Sequence, residues 1–193
     1  MAKGVSILDP KYLDSITLEA THEFFKGKND IEIPLLKERV ANLREVGNIL
    51  LKKYDGKIIN LLKESNFDAI KIVKNIAENF TCFRDISNLE NKEVIFYKRA
   101  QICANDFAYV LKNTDSKIIN LDKLTAYSDY KLPQLLRMFG IINYNESLAE
   151  KIDTFTEIVH DSREEIEIRS ATIWAVELLR QRIGTLTAGE IDN

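Results

Sequence analysis

At 193 residues the chain is long enough to bury one sizeable core, and its 45% hydrophobic and 30% charged residues exclude an intrinsically disordered protein. A net charge of −3, with Lys and Arg interspersed among Asp and Glu, excludes a broad basic groove for a polynucleotide. Two cysteines without C-x-x-C spacing, Cys82 and Cys103, and two histidines offer no zinc set, and no apolar run has the length of a membrane span or a secretory signal. Buried, reduced thiols and a cytoplasmic location are expected.

With seven Gly and three Pro, and apolar residues recurring at helical spacing, the chain reads as all-α, folded as a single helical domain over residues 1–193. Residues 11–26 form one or two short helices between Asp9-Pro10 and Gly27. Pro34 opens a longer helix with Leu36, Val40, Leu43, Gly47 and Leu50 on one stripe, closed by Asp55-Gly56. Ile58 to Leu62 and Phe67 to Phe80 are two further helices, the second with Phe67, Ile70, Val73, Ala77 and Phe80 on one face. Thr81–Asn91 reads as a loop. Val94 to Leu111 is a helix whose start, Phe96-Tyr-Lys-Arg-Ala-Gln101, holds two adjacent cations that cannot both face a core; Lys98 and Arg99 either snorkel to solvent or clamp a phosphate.

The stretch Thr125–Gly140 carries the most chemistry. Pro133 suits a first helical turn and Gly140 the turn that ends it, so Tyr127 and Asp129 lie on a loop just before a short helix, where binding groups concentrate and free N–H groups can hold an anion. Asp129 either caps that helix or meets a ligand. Ser162-Arg-Glu-Glu165 is a capping box in which Glu165 reaches back to the cap, opening a helix to about Ile183 with Trp174 in the core and Arg169 in an ion pair. Thr187-Ala-Gly-Glu190 is a second box, yet the chain stops three residues later. The helix it announces is therefore expected to be missing, as in a fragment or shortened product. Internal repeats, a Gly-rich phosphate loop, a G-x-S-x-G elbow and an H-E-x-x-H helix are absent.

Five segments, Ile33–Arg39, Phe80–Asp85, Phe96–Gln101, Leu124–Gln134 and Ser162–Leu179, together resemble the queuosine salvage proteins, which are queuosine 5′-phosphate N-glycosylase/hydrolases. Their order and spacing agree over essentially the whole chain. The resemblance implies release of queuine from queuosine 5′-monophosphate for reuse in transfer RNA, without cofactor or metal. It also implies a helical fold similar to helix-hairpin-helix DNA glycosylases, with a hairpin-like element over Leu132–Ile141. A mononucleotide substrate, with no polynucleotide and no membrane as partner, agrees with the acidic balance.

Breaking an N-glycosidic bond builds positive charge on the ribose, which a fixed carboxylate stabilises. By resemblance, Asp192 is the candidate for that carboxylate. Tyr127, standing where Phe is usual, and Asp129 are candidates for queuine contacts, and Lys98 and Arg99 for the 5′-phosphate. Arg169 and Glu167 either support the Asp129 loop or form a buried structural pair, while His22 and His160 match no motif. Relative to the family, the chain resembles the central part and is expected to be incomplete at both ends, which leaves a non-catalytic remnant that binds queuine or its nucleotide as the alternative. A helix-hairpin-helix nucleic-acid module would need clustered cations around Lys131 and Arg137 and a Gly-rich hairpin, of which only Gly140 is present.

Overall fold

The computed structural model describes residues 6–28 and 31–192. Contacts divide the chain into two compact units, one of Met1–Asn66 with Glu78–Cys82 and one of Phe67–Ala77 with Phe83–Asn193.

The first unit is helical. Helix α1 (Pro10–Ser15) is capped by Asp9, whose carboxylate accepts from the Lys11 N–H at 3.0 Å, and α2 (Leu18–Phe25) is capped by the Thr17 hydroxyl. Helix α3 (Leu36–Lys53) begins two residues after Pro34 because Leu35 is left-handed, with φ of 60°. The expected stripe is buried at Leu36, Val40, Gly47 and Leu50. Gly47 is needed there, since a Cβ would come within 2.6 Å of the Pro10 carbonyl oxygen on α1. Helix α4 (Ile58–Glu64) buries Leu61 and Leu62, and Tyr54 stacks on Phe80 with ring centroids 6.5 Å apart.

The second unit is mostly helical, as expected, with one small two-stranded sheet that an all-α reading does not include. Helix α5 (Ala69–Asn79), whose last two residues belong to the first unit, follows Asp68, which accepts from the Lys71 N–H. Its buried face includes Ala69 and Ile72 rather than the expected Ile70. Within the expected loop, β1 (Ile86–Leu89) pairs antiparallel with β2 (Lys92–Ile95), Ile86 opposite Ile95. Glu90 and Asn91 both take positive φ, the requirement of a two-residue hairpin turn. Val94 and Ile95, read as helical, belong to β2, so α6 (Lys98–Leu111) starts later than expected.

Helices α7 (Lys131–Met138) and α8 (Glu146–Asp153) follow, with the turn between them passing through Gly140 at φ of 69°. Helix α9 (Arg163–Ile183) opens on the predicted box: Ser162 Oγ accepts from the Glu165 N–H at 3.2 Å, while Glu165 reaches the Asp161 N–H, one residue before the cap. Trp174, expected in the core, is 67% exposed, because the buried positions of α9 are Ile166, Arg169, Thr172, Ala175 and Val176. The second box also forms, with Thr187 and Glu190 bonded reciprocally. The helix expected to be missing is present as one turn, α10 (Ala188–Asp192). Core contacts of this unit join Leu132 and Leu136 of α7 to Val176 of α9 and Ala188 of α10. No described helix is long and apolar enough to cross a membrane. Cys82 and Cys103 form no disulfide, and both are half-buried rather than fully so.

Candidate functional site

The loop that carries Tyr127 and Asp129 is pinned at both ends. Gln101 of α6 accepts from the Thr125 N–H at 2.8 Å and donates to the Thr125 hydroxyl at 2.9 Å and the Phe96 carbonyl at 2.8 Å. At the other end Asp129 does both things its position allows: Oδ1 accepts from the Lys131 N–H and Oδ2 from Lys98 Nζ, each at 2.8 Å. Burial pushes the Asp129 carboxyl up, but the hydrogen bond from Lys98, the Lys131 N–H and the Lys98 charge hold it below the usual carboxylate value.

Lys98 and Asp129 stand at a cavity of about 620 Å³ within the second unit, lined also by Ser128, Arg137, Tyr144 and Phe155. Lys98 therefore does not simply snorkel to solvent; its side chain is 27% exposed and ion-paired. Arg99, its neighbour, lies 4.8 Å over the Phe83 ring and is not among the residues lining the cavity. The sequence pair thus splits between two environments.

Tyr127 and Asp192 meet on another side of the same loop. The Tyr127 residue is only 7% exposed, and its ring lies against Gly189 of α10, where an added Cβ would come within 3.1 Å of the ring carbon bearing the hydroxyl. Burial, with the charges of Asp192 and Asp106, pushes its phenol up to about 12. Asp192 Oδ2 accepts from the Tyr127 N–H at 2.5 Å. Burial and the nearby Asp129 charge raise the Asp192 carboxyl above its usual value, against the Tyr127 N–H and Lys98. Asp192 lines a separate depression of about 420 Å³ with Lys131, Leu132 and Gln134. Lys98, Asp129 and Asp192 thus lie within electrostatic reach of one another, while the Tyr127 ring packs into the protein.

Arg169 forms the expected ion pair beside the Asp129 loop, whereas its partner Asp85 and the pairing of Arg137 are not legible in the sequence. Arg169, only 8% exposed at its side chain, forms a two-pronged pair with Asp85 at 3.0 and 2.6 Å and donates to the Ser128 carbonyl at 3.3 Å. Arg137 makes a bidentate pair with Asp153 and lies 5.2 Å over the Tyr144 ring. Asp85 stands in the sequence only as the end of the Phe80–Asp85 segment, since nothing local signals a partner 84 residues away. Glu167 pairs with exposed Arg163 and does not reach the loop. His160, Asp161 and Glu165 bring possible metal-ligating atoms near one another, but Asp161 already accepts from the Ser87 hydroxyl and Glu165 pairs with Arg169. The Lys98–Asp129 pair gives the site a cation for an anionic group and a fixed acceptor for N–H donors.

A family model of the queuosine salvage protein matches residues 1–192. A queuosine 5′-phosphate N-glycosylase/hydrolase of Bos taurus is 34% identical over 199 residues, covering 99% of this chain and 58% of its own length. One from Sphaerobacter thermophilus is 37% identical over 186 residues, with 96% and 57% covered, and one from Mus musculus is 35% identical over 182 residues, with 94% and 54% covered. The chain spans a little over half the length of these curated relatives.

Proposed function

Because the chain belongs to the queuosine salvage protein family, we propose that it hydrolyses the N-glycosidic bond of queuosine 5′-monophosphate in the cytoplasm, releasing queuine for reuse in transfer RNA. One observation carries the reading: an ion pair of Lys98 and Asp129 stands at a cavity of about 620 Å³. That is within the range of about 300–1,000 Å³ for small-molecule sites. An arriving 5′-phosphate competes for Lys98 and so frees an Asp129 oxygen to accept from the amino and ring N–H groups of the base, while Arg99, over the Phe83 ring and outside the cavity lining, adds only a more distant positive charge. Tyr127 serves recognition by fixing the loop that presents Asp129.

As the C–N bond breaks, its electron pair leaves with the base, which takes up a proton. Positive charge develops on the ribose until water adds to the anomeric carbon and loses a proton. Asp192 is the carboxylate we assign to that charge, acting electrostatically beside Asp129. We assign α7, the Gly140 turn and α8 to a hairpin-like element of a fold related to helix-hairpin-helix DNA glycosylases.

A second reading, binding without hydrolysis, is favoured by one observation. Asp192 lines the neighbouring depression, and one of its oxygens is taken by the Tyr127 N–H. Incubating the purified chain with queuosine 5′-monophosphate and following free queuine by mass spectrometry separates the two. Hydrolysis predicts release that falls about 10²–10³-fold in Asp192→Asn, the size of loss seen when one preorganised group is removed. No release, with queuine binding that depends on Asp129, selects the second reading. Neither release nor binding rejects both.

A further inference from the structure

The distance between Lys98 and Asp129 is set by neither the helix of Lys98 nor the loop of Asp129 alone. Helix α6 has no side-chain cap of its own, because Tyr97 at its N-cap is left-handed, with φ of 48°, and its side chain makes no cap hydrogen bond. Asp85 supplies the missing acceptors. Its carbonyl accepts from the Phe96 and Tyr97 N–H groups at 3.0 and 3.1 Å, and its Oδ2 accepts from the Lys98 N–H at 3.0 Å. Three successive residues leading into the Lys98 side chain are therefore hung on Asp85.

The same carboxylate receives both terminal nitrogens of Arg169, whose Nε turns the other way and donates to the Ser128 carbonyl, one residue before Asp129. The guanidinium plane is braced 3.8 Å over the Phe96 ring, and Nη1 also reaches Glu165 at 3.3 Å. A planar fork with donors facing two directions can span Asp85 and Ser128 together; the single ammonium of a lysine cannot. A buried ion pair is poor evidence of net stabilisation, so its placement points to geometry as its use.

We propose that Asp85 and Arg169 are positioning residues: together they hold the start of α6 and the Ser128–Asp129 peptide at the separation that lets Lys98 and Asp129 pair beside the cavity. This rests on the reading of Lys98 and Asp129 as ligand groups, yet it is tested without ligand. The readout is the pH titration of the Asp129 carboxyl by ¹³C NMR in Asp-labelled protein, its signal assigned by loss in Asp129→Asn. Groups near that carboxyl are Lys98 from α6, Lys131 from the start of α7 and Asp192 from α10, with Arg137 of α7 and Arg169 and Glu165 of α9 sharing the cavity.

Arg169→Lys keeps the charge and removes the fork. We expect it to let Lys98 and Asp129 drift apart, so that the Asp129 midpoint rises by about one pH unit, the low end of the effect of an adjacent opposite charge. Val176→Ala, a cavity substitution at a fully buried position of the same helix, is the control and should leave the midpoint where it is. An unchanged midpoint in folded Arg169→Lys overturns the proposal, as does an equal rise in Val176→Ala. Should Arg169→Lys fail to fold, Asp85→Asn is read the same way. Failure of both to fold also overturns the proposal, since the pair would then support the whole unit rather than the spacing of two side chains. Because no substrate enters the measurement, a chain that releases no queuine can still pass or fail it.

Discussion

The two units bury different kinds of side chain. In the first, the interior is Leu13, Ile16, Leu36, Val40, Leu61 and similar residues, and among its described residues the buried polar side chains are uncharged, the hydroxyls of Thr21, Ser65 and Tyr54. In the second, Ser87, Gln101, Ser128, Thr172 and the charged Arg169 are buried as well. Apolar burial is non-directional and stabilises roughly with area, whereas a buried charge must be fully paired merely to avoid a penalty. The first unit should therefore report damage as lost stability, and the second as lost geometry at Lys98 and Asp129.

Leu61→Ala should give the largest stability loss. Leu61 is fully buried on α4, and truncating such a leucine costs about 2–5 kcal/mol through lost transfer energy and the cavity left behind. Thermal unfolding should show a matching fall in Tm. Queuine affinity, measured below the transition, should stay at the wild-type value, because Leu61 does not line the cavity at Lys98. A weakened affinity there would break the contrast between the units.

A smaller effect, with opposite signs at two carboxylates, sharpens the contrast inside the second unit. Asp129 has a lowered folded pKa, so its contribution to stability is present above its unfolded pKa and is lost as pH falls through the folded value. Asp192 has a raised folded pKa. Its contribution is present below the unfolded pKa and is lost as pH rises through the folded one. At about pH 7, Asp129→Asn should lower the urea midpoint. Asp192→Asn, which keeps an oxygen for the Tyr127 N–H, should leave the midpoint unchanged or raise it while queuine release falls. A lowered midpoint in Asp192→Asn would mean that its charge holds α10 in place and is not set aside for chemistry.

What could be read from the sequence divides along a similar line. Capping and turns are local, so Asp9-Pro10, the Ser162 and Thr187 boxes and the Gly140 turn were all legible. The hairpin was not. Its strands are four residues each, and its Glu90-Asn91 turn lacks the glycine that usually announces such a hairpin. At the site, the Lys98 and Asp129 segments stood out, but their pairing across 31 residues did not, nor did the Asp85–Arg169 fork across 84. Side chains that act on distant backbone leave no periodic trace.

Trp174 shows the same limit from the apolar side, and it gives the smallest expected effect. A Trp on a long amphipathic helix was expected in the core because of its area, but Arg169 and Thr172 share the buried face of α9 with Ala175 and Val176, which turns Trp174 outward. At 67% exposure, little of its surface leaves water on folding. Trp174→Ala should change stability by no more than about 0.5 kcal/mol, as for other surface positions. As Trp174 is the sole tryptophan, wild-type fluorescence should be readily quenched by acrylamide, and the variant's Tm must be followed by circular dichroism. A Tm lowered by several degrees, or emission shielded from the quencher, would mean that this face of α9 is covered in solution and that the second unit, too, depends on a large apolar side chain outside its polar frame.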